Sequence, residues 1–220
     1  MTIFSVIIPA GGTSSRFGGK NKLLEKIHGK EVIKYAVEAF EGANVNEIIV
    51  SANPAIIDEL RQILGSKVRI VEGGATRQES VFNGLKAAAC DYVLIHDAAR
   101  PMVSVNLIKR AMEEVQVKKA LTAAVKTIDT IKEVEDGKII RTIDRANLYN
   151  TQTPQAFEYN LIKDAHERLA GQNFTDDAGM LEALGHDVYI LDGSPQNIKI
   201  TTQDDIAILK TLMLSHNPSN

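Results

Sequence analysis

Five short segments of this chain gather residue types that can grip anions. The first is Pro9-Ala10-Gly11-Gly12-Thr13-Ser14-Ser15-Arg16-Phe17-Gly18-Gly19-Lys20-Asn21-Lys22, directly after an apolar run at Phe4–Ile8. Its glycines let the backbone approach a phosphate and turn free N–H groups toward it. Arg16 offers a planar fork to phosphate oxygens, and Lys20 or Lys22 a point charge. The run is not GxxxxGK[ST], because Asn21 follows Gly19-Lys20, and it is not GxGxxG. A P-loop ATPase and a nicotinamide dehydrogenase both lose ground. A Gly-rich turn with solvated cations is the plain alternative.

The second segment, Glu72–Ser80, places Gly73 and Gly74 before a helix start, with Ser80 one turn in, where a hydroxyl can meet a base edge. The third is His96-Asp97-Ala98-Ala99-Arg100-Pro101. Asp97 can hold a ribose hydroxyl or a magnesium ion, and the alanines leave room. His96 reads as a packed ring and Arg100 as an ion-pair partner for Asp97. The fourth, Thr142–Arg145, lies across from Thr130 and can hold a second anion. The fifth is Asn197–Thr201, where Lys199 between two isoleucines points away from them on an extended chain. None of these is a Ser-His-Asp or Cys-His set. The chemistry they suit is charge management around phosphates.

These segments need a scaffold, and the hydrophobic pattern supplies one. Strand patterns at Phe4–Ile8, Glu47–Ser51, Lys67–Val71, Tyr92–Ile95 and Leu121–Val125 alternate with helical patterns at 31–40, 55–64, 76–89 and 105–117. Thr76 and Glu79 have capping-box spacing. The alternation predicts an α/β fold, Rossmann-like, with a mostly parallel sheet and helices on both faces. Three of the five segments then fall at carboxyl ends of strands, where open α/β sheets bind ligands. The rhythm breaks at Lys126. Residues 127–143 read as a β-hairpin turning at Asp136-Gly137. Its thinly apolar strands need support, from another subunit or from its own domain. Helices are expected at 158–169, from Thr175 to Gly185 and at 203–214, with strands at 188–191 and 198–201.

At 220 residues, 44% hydrophobic and 24% charged, the chain is large enough for one core: a single domain, 1–220, with an arm at 126–150. A net charge of −3 argues against general nucleic-acid or anionic-membrane binding. One cysteine, Cys90, excludes an internal disulfide or a multi-Cys metal site. No apolar run is long enough to span a bilayer, and the N-terminal one reads as a strand, so a cytoplasmic location is expected.

Taken together, these residues resemble the cytidylyltransferases that act on sugar-alcohol phosphates, nearest among them those of the non-mevalonate isoprenoid pathway acting on 2-C-methyl-D-erythritol 4-phosphate. The resemblance covers nearly the whole chain and rests most on HDAARP (96–101) and NIKIT (197–201), with Thr153–Phe157, Thr175–Ala178 and Asp204-Asp205 beside them. It implies transfer of CMP from CTP, with a divalent cation such as Mg²⁺. Ala10, Gly11 and Gly12 would hold the nucleotide, and Gly74 and Ser80 would read cytosine. Asp97 and Ala98 would meet the ribose, and Asp97 the metal. Arg16, Lys22 and Lys199 would be catalytic, with Lys199 also placing the acceptor phosphate. Thr130 and Arg145 would bind that acceptor from the arm of a second subunit in a homodimer. The first loop departs from the family at Gly11, at Ser14 and at Lys20-Asn21-Lys22. A ribitol-5-phosphate cytidylyltransferase, a guanylyltransferase and a non-catalytic nucleotide-binding regulator are the alternatives. Ala99 favours methylerythritol phosphate over ribitol phosphate.

Overall fold

The computed structural model describes residues 1–12, 17 and 21–215. The first half runs β1 (Phe4–Ala10), β2 (Lys26–Ile27), β3 (Lys30–Glu31), α1 (Val32–Gly42), β4 (Glu47–Ala52), α2 (Ile57–Leu64), β5 (Val68–Glu72), α3 (Arg77–Ala87) and β6 (Tyr92–Ile95). The second half runs α4 (Val105–Lys118), β7 (Ala120–Lys126), β8 (Ile131–Glu135), β9 (Lys138–Ile143), β10 (Tyr149–Glu158), α5 (Tyr159–Arg168), α6 (Asp177–Ala183), β11 (Tyr189–Asp192) and α7 (Gln203–Ser215).

One seven-stranded sheet carries the domain, in the order β11-β7-β10-β6-β1-β4-β5. Strand β1 lies near its middle, parallel to β4 and β6. That is why Phe4–Ile8 is almost wholly apolar: a strand covered on both faces buries every side chain. Phe4, Val6 and Ile8 join a core beneath α1 and α4, while Ile7 joins Val81 and Leu85 of α3 on the other face. Helices thus cover both faces, as the alternation predicts.

Three differences from the sequence reading matter. Strand β10 was not expected, because Pro154 in its interior argues against a strand. The chain accommodates it with a register shift between Thr151 and Gln155. Moreover, β10 runs antiparallel to both β6 and β7, so the sheet is mixed. Second, Ile198–Thr201 is not a strand; the segment makes no ladder, and Ile200 N–H reaches instead to Ala99 O at 2.8 Å. Third, β2 and β3 form a small hairpin around His28 (φ 49) and Gly29 (φ 82), too short for a periodic signal.

The predicted hairpin is present as β8 and β9, turning through Asp136 (φ 48) and Gly137 (φ 78). Both positive φ values are what a two-residue I′ turn requires. Its strands are solvent-exposed, and Val134, Ile139 and Ile140 are more than half exposed.

Where α3 crosses the sheet, a Cβ at Gly84 would lie 2.5 Å from Ile7 Cγ2 and 2.8 Å from Ser51 Oγ. Alanine there gains roughly 1 kcal/mol of helix propensity but overpacks the contact by about 1–3 kcal/mol. We expect Gly84→Ala to be net destabilising, lowering the urea midpoint without changing the slope. A raised midpoint would show that the α3–sheet contact yields.

Candidate active site

A cleft of about 410 Å³ opens at the carboxyl ends of β1 and β6. Pro9–Gly12 line one side, Ala75–Arg77 at the head of α3 another, and Asp97–Ala99 a third, with Lys22 and Lys199 completing the lining. A second cavity of about 130 Å³ adjoins it, sharing Arg77, Asp97 and Lys199 and adding Arg100, Gln152, Thr153 and Thr175. Among the sequence candidates, Ala10, Gly11, Gly12, Lys22, Asp97, Ala98 and Lys199 therefore meet at one place.

Asp97 is the electrostatic centre. Lys199 Nζ lies 2.7 Å from Oδ2, Arg77 Nε 3.3 Å from Oδ1, and Arg100 Nε 3.7 Å from Oδ2. Burial pushes the carboxyl up, but the charges of Arg77, Lys199 and Arg100 outweigh it and hold Asp97 well below the usual carboxylate range. Arg77 also pairs with the buried Asp177 at 2.8 Å. A cation in the first turn of α3 opposes the helix dipole; two carboxylates offset that cost. That local conflict was the sequence signal for Arg77, which the sequence reading missed. Asp177 was read there as part of a helix start and of the Thr175–Ala178 motif, with no role of its own.

The backbone of this loop is held from behind. Asp97 N–H donates to Thr153 Oγ1 (3.0 Å), and that hydroxyl lies 3.0 Å from His96 Nδ1. His96 Nε2 meets Arg100 O at 3.1 Å. Of the two neutral tautomers, only the one protonated on Nε2 satisfies both contacts, with Thr153 donating to Nδ1 and Arg100 O accepting. Burial first, then the neighbouring Arg100 charge, lower the His96 pKa to about 4 against favourable contacts with Arg100 O and Asp97. His96 is therefore the packed histidine expected, and it positions the loop.

Gly11, Gly73 and Gly74 meet around the Ser80 hydroxyl, which donates to Thr76 O (2.9 Å) and accepts from Gly74 N–H (3.1 Å). A Cβ at Gly11 would sit 2.7 Å from Ser80 Oγ, and one at Gly74 2.2 Å from Glu79 Cβ. Here the glycines are required by closeness. Ser80 is buried where the two Gly-rich loops pack together.

The two lysines come from distant parts of the chain. Lys22 Nζ donates to Ile200 O at 2.7 Å, next to Lys199. The 197–200 segment is further held by Arg100 Nη1 on Asn197 O (2.7 Å) and Asn197 Nδ2 on Thr153 O (2.8 Å). Arg16 and Lys20 lie outside the described residues. Thr130 and Arg145 are exposed at the arm, where Arg145 bonds Ile128 O, and neither lines the cleft of its own chain.

No cluster of three His, Cys, Asp or Glu side chains exists among the described residues. Among the described residues, Asp97 is the one carboxylate lining the main cleft. That donor set fits magnesium carried on a nucleotide, since Mg²⁺ commonly takes one or two carboxylates together with phosphate oxygens and water.

The sequence profile of the 2-C-methyl-D-erythritol 4-phosphate cytidylyltransferase family matches residues 4–215. The chain is 39% identical over 222 residues to the enzyme of that name from Clostridioides difficile, covering 96% of this chain and 94% of that one. A relative of the same name from Bacillus velezensis is 39% identical over 229 residues, covering 97% and 99%. The fold is similar to that of 4-diphosphocytidyl-2C-methyl-D-erythritol synthase from Anaerococcus prevotii, with a TM-score of 0.85 at 32% identity over 97% of this chain and 96% of that one. It is also similar to 2-C-methyl-D-erythritol 4-phosphate cytidylyltransferase from Thermus thermophilus, at 0.84 and 32%, over 96% and 98%.

The His96 arrangement sets a pH dependence of stability. Its folded pKa of about 4 is below the ordinary 6.5, so between these values the unfolded chain takes up a proton the folded chain refuses. The contribution is complete above pH 6.5 and is lost as pH falls toward 4. Its ceiling is on the order of 3 kcal/mol. Urea unfolding at pH 7 and pH 5 should show His96→Gln losing less stability across that interval than the parent. Equal losses would rule out His96 as the source.

Proposed function

The chain belongs to the 2-C-methyl-D-erythritol 4-phosphate cytidylyltransferase family, and from that premise we propose how its residues divide the work. The activity is transfer of CMP from CTP to 2-C-methyl-D-erythritol 4-phosphate. The products are 4-diphosphocytidyl-2-C-methyl-D-erythritol and pyrophosphate, in isoprenoid precursor synthesis by the non-mevalonate pathway. The observation that carries the division of roles is the single cleft joining Gly11, Gly12, Lys22, Asp97 and Lys199.

An oxygen of the acceptor phosphate attacks the α-phosphorus of CTP in line, and pyrophosphate leaves. The attacker is already an anion near neutral pH, so no general base is needed. What resists reaction is the approach of like charges and the charge that builds in the transition state. Backbone N–H groups of Ala10–Gly12 hold the triphosphate. Lys22, oriented by Ile200 O, meets charge on the phosphates, and Arg16 assists from its motif position. Gly74 and Ser80 shape the cytosine end, while Asp97 and Ala98 take the ribose. Lys199 guides the acceptor phosphate from the adjoining cavity. Mg²⁺, arriving on CTP with Asp97 as a protein ligand, would neutralise phosphate charge. Lys199 has a side chain 42% exposed, so of the cations on Asp97 it is the one with room to move toward substrate.

The arm at 126–150 would complete the acceptor site in a second copy of the chain, supplying Thr130 and Arg145. Their absence from the lining of their own cleft supports this, and so does the exposure of Ile128, Ile139 and Ile140 along the arm. A cytoplasmic location goes with the reading: a lone cysteine needs no oxidising compartment, and among the described residues no helix is long and apolar enough to cross a membrane. The family match favours methylerythritol phosphate over ribitol 5-phosphate, and an enzyme over a regulator.

Pyrophosphate release with Mg²⁺ and CTP should be fast with 2-C-methyl-D-erythritol 4-phosphate and slow with D-ribitol 5-phosphate; the reverse order would reassign the acceptor. Lys22→Ala and Lys199→Ala should each lower kcat on the order of 10²-fold. Arg145→Ala should mainly raise KM for the acceptor, with kcat little changed. Normal turnover by Lys22→Ala would remove that lysine from the mechanism.

A further inference from the structure

Residues 197–201 carry Lys199 and the carbonyl that holds Lys22, yet they belong to no ladder. Something else must fix them. Asp205, in the first turn of α7, reaches back with a single oxygen, Oδ2. It accepts from Thr201 N (2.7 Å), Thr201 Oγ1 (2.8 Å), Thr202 N (2.8 Å) and Thr202 Oγ1 (3.1 Å). A capping box satisfies one backbone N–H in this way; here the contact extends one residue further, to the position after Ile200. The helix that carries Asp205 is itself anchored: Leu209 is fully buried, and His28 Nε2 contacts Lys210 O at 2.9 Å.

We propose that Asp205 is a positioning residue for the reaction, clamping 201–202 so that Ile200 O and Lys199 present both lysines to the cleft. The proposal rests on the roles given to Lys22 and Lys199 above. Asp205 is not among the residues lining either cavity, so its effect on rate must pass through the segment it holds.

The test is steady-state pyrophosphate release by Asp205→Ala and Asp205→Asn, each alone and combined with Lys22→Ala, with urea unfolding in parallel. We expect Asp205→Ala to lower kcat about tenfold or more, with a smaller change in KM for CTP. Asp205→Asn should recover part of the loss, because its amide oxygen still accepts. In the Lys22→Ala background, Asp205→Ala should cost less, since one of the two lysines it positions is gone and only the share acting through Lys199 remains. Parental kcat in folded Asp205→Ala would overturn the proposal. So would the same fold-loss in both backgrounds, which marks a purely structural role. Parental turnover by Lys22→Ala alone would instead overturn the catalytic reading on which this rests. Should Asp205→Ala fail to fold, Thr201→Val, which removes one donor, is judged by the same criteria.

Discussion

A carboxylate at the end of β6 is shared by three cations that come from three separate parts of the chain. Arg77 heads α3, Arg100 ends the loop that Asp97 begins, and Lys199 lies near the C-terminal helix. Burying an anion is costly unless it is paired and bonded. Once Asp97 is buried, the positions of those cations follow, and with them the shape of the cleft. The same cations leave the cleft with an excess of positive charge, which suits a reaction between two phosphate groups. The structure and the catalysis proposed for it draw on one electrostatic arrangement.

Around that centre, close packing does what charge cannot. The Ser80 hydroxyl fills the space a side chain would need at Gly11 and Gly73, and Glu79 fills it at Gly74. Two loops from different strands thereby pack closely about one oxygen. Behind them, the Asp97–Thr153–His96–Arg100 line of hydrogen bonds runs from the cleft through β10 and back to the loop. A neutral histidine suits that line because it both accepts and donates. A charged ring could not accept from Thr153.

Much of this was legible in the residues. The buried strand β1, the capping box of α3, the Asp136-Gly137 turn and the gathering of Gly-rich and acidic loop ends follow from local rules that tertiary packing did not override. The cleft residues Gly11, Gly12, Asp97 and Lys199 stood out by type and spacing, while Ala10, Ala98 and the choice of Lys22 over Lys20 came from the family resemblance. What escaped was set by long-range pairing. Strand β10 is hidden by Pro154, whose place in the sheet depends on a register shift with β7. Lys199 was placed on a strand that does not exist; Lys22, Ala99 and Asp205 hold its segment from residues far or near in sequence. Asp177 gave no sign in sequence that it would pair with an arginine 100 positions earlier.

The antiparallel β10 has a further meaning. Lys126 and Tyr149 are register partners, and Thr127 N–H meets Leu148 O at 3.0 Å. The excursion therefore departs and returns at neighbouring points, sealed off by its own ladder. Its length and surface can vary without altering the distance its ends must span. Closure cost rises only slowly with loop length, so the arm is a modular unit. Evolution or design can rewrite the arm's exposed surface while the cleft at the sheet's edge keeps its geometry.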